Sequence, residues 1–150
     1  MQQYRVFLDS GVYIAGAGSA VGGSRQILDW GTQRLLYPVT CPQVLIESRR
    51  NVSKKLPRAT AVLERIIHTI DAELVSNPTD EEIAAALQFI PAKDAPILAA
   101  ACKTNIDYLI TLDRRHFKQP KVQESMPFLI LLPEEFAPLI RRQLTDESDT

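Results

Sequence analysis

Two short hydrophobic runs of this chain stop at an aspartate: "YRVFL" ends at Asp9 and "DYLITL" ends at Asp113. In an open α/β sheet, groups at the carboxyl ends of parallel strands gather along one edge, where ligands bind. Two further carboxylates have reasons to meet them there. Asp94 starts the apolar segment "APILAAAC" that leads into the second run, and Glu47 follows Val44-Leu45-Ile46 near the start of another helix. Like charges a few ångströms apart raise one another's pKa values or demand a cation. Hard oxygen ligands of this kind suit Mg2+ or Mn2+, with water completing an octahedron. A cation held this way can take a phosphate oxygen and activate a water, so the logical substrate is a phosphodiester.

Local charge agrees with that chemistry. Arg49, Arg50, Lys54, Lys55 and Arg58 follow Glu47, and Arg114, Arg115, His116, Lys118 and Lys121 follow Asp113. Such runs hold a polyanionic backbone without reading its sequence. The whole chain carries a formal net charge of -1, so any basic surface is local rather than global. Its two cysteines, Cys41 and Cys102, and two histidines, His68 and His116, stand apart in the sequence, against a structural zinc site with its set of about four ligands. No signal peptide opens the chain and its apolar stretches are too short for a membrane span, which predicts a cytoplasmic protein.

The stretch "DSGVYIAGAGSAVGGSR" is rich in glycine, yet it misses both phosphate-binding templates. The dinucleotide fingerprint requires a third glycine where Val21 stands, and the Walker-type loop requires a lysine and a hydroxyl where Ser24-Arg25 follow. It is expected to be a pliable connection between Asp9 and the next helix. An aspartyl phosphatase or phosphoreceiver also fits poorly, because Asp9-Ser10-Gly11 supplies neither D-x-D nor an acidic pair.

Stepping from these side chains to their supports, strand-like runs alternate with helical patterns along the chain. The strands are continuous apolar runs such as "PFLILL", expected to be covered on both faces. The pattern predicts a three-layer α/β/α sandwich on a mainly parallel sheet. One domain over residues 1–142 is expected, with the acidic tail 143–150 disordered.

With these residues in hand, the chain resembles the PIN-domain family, in the branch of toxin components of toxin–antitoxin systems. The resemblance rests on "VFLDSGVYIAG", "CPQVLIESRR" and "KDAPILAAACKTNIDYLITLDRRHF", in the family's order and spacing. It implies that Asp9, Glu47, Asp94 and Asp113 form the acidic set that binds Mg2+ or Mn2+ and cleaves RNA. Ser10 and Thr111 match supporting hydroxyls, and an antitoxin partner and homodimers are implied as well. Arg49, Arg50, Arg114 and Arg115 would lie along the RNA. The family usually continues D-[ST]-N, and here Gly11 stands in the asparagine's place. A module that binds RNA or a partner protein without cutting is therefore the alternative reading.

Overall fold

The computed structural model describes residues 3–148. Five parallel strands form one sheet in the order β3-β2-β1-β4-β5: β1 (Arg5–Leu8), β2 (Tyr37–Thr40), β3 (Glu73–Leu74), β4 (Tyr108–Ile110) and β5 (Leu129–Leu131). Among the described residues, nine α-helices fill the intervals. They are α1 (Ser10–Gly18), α2 (Gly23–Thr32), α3 (Pro42–Lys55), α4 (Thr60–Ile70), α5 (Asp80–Ala86), α6 (Ala95–Cys102), α7 (Arg114–Phe117), α8 (Pro120–Ser125) and α9 (Pro133–Ser148). This is the α/β architecture on a parallel sheet that the alternation predicts.

The core is the sheet's own side chains closed in by helices. Val6, Phe7 and Leu8 of β1 and Leu109 and Ile110 of β4 have no exposed surface, because each strand has neighbours on both sides. The register places Leu8 beside Ile110, so the two chains leave the sheet together and deliver Asp9 and Thr111 to the same edge.

Two expectations are corrected. The glycine-rich stretch is not a loop, because α1 begins at Ser10, immediately after Asp9, and runs to Gly18. Its glycines serve helix packing instead. A Cβ on Gly16 would run into the side chain of Leu28, so the absent side chain lets α1 and α2 approach closely. Only Gly22, with φ of 111°, uses the freedom of glycine to turn the chain between the two helices. Next, β5 lies at the sheet's edge, with Leu129 57% exposed, rather than being covered on both faces. The last helix, α9, continues to Ser148, and positions 149–150 of the acidic tail lie outside the described residues. Leu144 packs against the core and the Thr145 hydroxyl donates to the Arg141 carbonyl, which carries the helix into the acidic segment.

Candidate functional site

Asp9 follows β1 directly and caps α1. Its Oδ1 accepts the Ser10 N–H at 2.7 Å, and its Oδ2 accepts the Thr111 hydroxyl at 2.9 Å. The residue is half-buried, and desolvation pushes its carboxyl up to about 6. The bonds from Thr111 and Ser10 pull the other way, while the charges of Glu47 and Asp94 add to the rise. A carboxylate this desolvated, with two acidic neighbours, favours a proton or a cation beside it.

Thr111 follows β4 and is fully buried. Besides donating to Asp9, its oxygen accepts the backbone N–H of Asp113 at 3.1 Å. One hydroxyl thus sets the spacing between the two aspartates that end the hydrophobic runs. The strand itself stops at Ile110, three residues before Asp113, and the intervening turn brings the carboxylate round to face the site. Asp113 then caps the short helix α7, its Oδ1 accepting the His116 N–H at 3.1 Å.

Asp94 occupies the N-cap position of α6, yet its side chain makes no capping bond. Pro96, with no N–H to offer, stands in that first turn. The carboxylate turns instead toward Asp113. It is 8% exposed, and its Oδ2 is buried without a hydrogen bond. His116 Nδ1 lies 2.7 Å from that oxygen, outside hydrogen-bond geometry, and makes its hydrogen bond with Asp113 Oδ2 at 3.3 Å. One ligand atom from each of Asp94, Asp113 and His116 falls within 4.8 Å of the others. A buried carboxylate oxygen left without a donor, beside a second carboxylate and a ring nitrogen, is a donor set that could hold a cation.

Glu47 projects from α3 and joins this group through its field on Asp9 rather than through a direct contact. It lines an open recess of about 460 Å³ with Gln43, Ile46, Arg50, Asn51 and Asn77. The basic residues divide. Arg49 forms a two-pronged pair with Glu64 of α4, and Arg114 pairs with Glu134 of α9. Arg50 stays exposed beside Glu47, and Arg115 is exposed on α7. Ser10 is buried, and its backbone rather than its hydroxyl makes the short bond to Asp9. At Gly11 a Cβ would meet Leu112 at ordinary contact distance, so the position has room for a side chain it does not carry.

His116 reads along the chain only as one member of a basic run. Only the single turn of α7, started by the Asp113 cap, folds it back onto the carboxylates. The D-x-x-H spacing from Asp113 is the one signal that could have found it.

The family model for the PIN domain matches residues 5–115, from β1 to the start of α7. The chain belongs to the PIN domain family. Among solved structures, PAE2754 from Pyrobaculum aerophilum superposes with a TM-score of 0.65 at 14% identity, covering 93% of this chain and 90% of that one. DNA-bound VapBC from Salmonella typhimurium gives 0.62 at 20% identity, over 87% and 99%. Mycobacterium tuberculosis VapC20, a sarcin-ricin loop cleaving toxin, gives 0.55 at 16% identity, over 75% and 93%. At these identities the likeness is one of fold. No curated protein sequence matches the chain.

Proposed function

We propose that this PIN domain is a Mg2+- or Mn2+-dependent ribonuclease that acts as the toxin of a toxin–antitoxin pair. The observation that carries the reading is the buried, unbonded Oδ2 of Asp94 facing Asp113, with the desolvated Asp9 linked to Asp113 through Thr111. Asp9, Asp94 and Asp113 hold the cation, and Glu47 holds it directly or through water. When bound, the cation supplies Lewis acidity toward a phosphate oxygen and a water acidic enough to attack phosphorus.

The chain's own groups do the rest. Thr111 and the Ser10 N–H fix the Asp9 carboxylate, so its free electron pairs point one way rather than rotating. Glu47, at the mouth of the recess, orients the attacking water and accepts its proton. Arg50 and Arg115 meet the RNA backbone, while Arg49 and Arg114, each already held by a glutamate, are the lesser contacts. An antitoxin is the expected partner, by analogy with VapBC, covering the carboxylates and Arg50. Assembly as a homodimer and residence in the cytoplasm belong to the same reading; no described helix is long and apolar enough to cross a membrane.

Gly11 favours a second reading, a module that binds RNA without cutting it, because the space near Leu112 lacks a polar side chain. Cleavage of single-stranded RNA in Mn2+ separates the two. Asp9→Asn is expected to lower the rate by roughly 10³-fold or more, since a cation's stabilisation of developing charge amounts to several kcal/mol. Wild-type activity in that folded variant would overturn the nuclease reading.

A further inference from the structure

We infer that His116 is itself a ligand of the cation, through Nδ1, and that this nitrogen biases the site toward Mn2+ and similar transition ions over Mg2+. The inference rests on the cation site proposed above and adds a nitrogen donor to its acidic set. The spacing is the first argument. Adjacent ligands of an octahedral ion with bonds of about 2.1 Å lie about 3 Å apart. His116 Nδ1 stands 2.7 Å from Asp94 Oδ2 and 3.3 Å from Asp113 Oδ2, on either side of that separation.

The second argument is the bonding around Asp94. A ring nitrogen 2.7 Å from a buried carboxylate oxygen that nonetheless carries no hydrogen bond is poorly explained as a donor–acceptor pair. Two atoms that share a third, central partner take up that arrangement. The ring is also fixed for the task. The His116 backbone N–H is held by Asp113 Oδ1, and the next residue, Phe117, is 1% exposed and anchors α7 in the core. A side chain on a four-residue helix, pinned at both ends, loses little freedom when it takes a ligand.

The chemical consequence follows from donor type. A set of carboxylates and water treats Mg2+ and Mn2+ as similar hard ions, whereas an imidazole nitrogen favours the transition ion. His116 therefore sets metal preference as well as holding the metal.

Pulsed EPR of the wild-type protein loaded with Mn2+ alone tests this without a substitution. A ¹⁴N modulation from a directly bound imidazole is expected. Calorimetry on His116→Ala and His116→Asn should then show Mn2+ affinity lower by about tenfold or more, with Mg2+ affinity changed by less than about threefold. Mn2+ bound without nitrogen coupling, with affinity equal in wild type and variants, overturns the assignment of His116 and leaves the acidic site standing. Failure of wild type to bind Mn2+ at millimolar concentration overturns the metal site itself, and the histidine ligand with it.

Discussion

On the β1 side of the site, Asp9 has donors of its own: a backbone N–H from Ser10 and a hydroxyl from Thr111. On the α6–β4 side, Asp94 and Asp113 share one imidazole, and one oxygen of Asp94 has no hydrogen bond at all. The better-bonded carboxylate is nonetheless held well above its usual range, because burial outweighs both bonds. Satisfying a carboxylate with neutral donors leaves the cost of its charge largely in place. The two sides therefore differ in kind, one holding a desolvated charge and the other a buried oxygen without a hydrogen bond.

Removing the link between the sides has the largest expected effect on stability. Thr111→Val takes away the donor to Asp9 and the acceptor of the Asp113 N–H in one change, both in a fully buried setting. A loss of about 2–3 kcal/mol is expected in chemical denaturation, and Asp9 should titrate higher still. Thr111→Ser, which keeps the oxygen, should recover most of the loss. If Val and Ser behave alike, the hydroxyl does not couple the two aspartates.

A smaller effect of opposite sign sharpens the contrast. The Asp9 carboxyl sits at about 6 in the folded protein against an ordinary value of 3.8. A raised folded-state pKa means the favourable protonated form is fully populated below about 4. Its contribution is then lost as pH rises through about 6. Without divalent ions, Asp9→Asn should therefore stabilise the protein by about 1–2 kcal/mol at pH 7.5, or a few degrees in Tm, and by nothing near pH 4.

The parts of this arrangement legible in the sequence are those fixed by local pattern. Apolar runs that stop at an aspartate mark Asp9 and Asp113 because a buried strand must end where a charge begins. Asp94 was readable as the start of a helix, though not its turning away from the cap, which depends on what lies across the edge. Glycine content misleads, since Gly11, Gly16 and Gly18 read as a loop while in the fold they lie in α1, facing Leu112, Leu28 and Leu56. His116 was hidden because its place depends on one turn of α7 after the Asp113 cap, and a turn that short leaves no periodicity. The pairing of Arg49 with Glu64 is equally nonlocal, joining two helices by their packing.

The most direct test is the anomalous difference density of a crystal of this protein soaked in Mn2+. A single strong peak among Asp9, Asp94, Asp113 and His116, within bonding distance of Asp94 Oδ2, is the predicted result. Peaks confined to other carboxylates, with Asp94 Oδ2 still unbonded, would contradict the account.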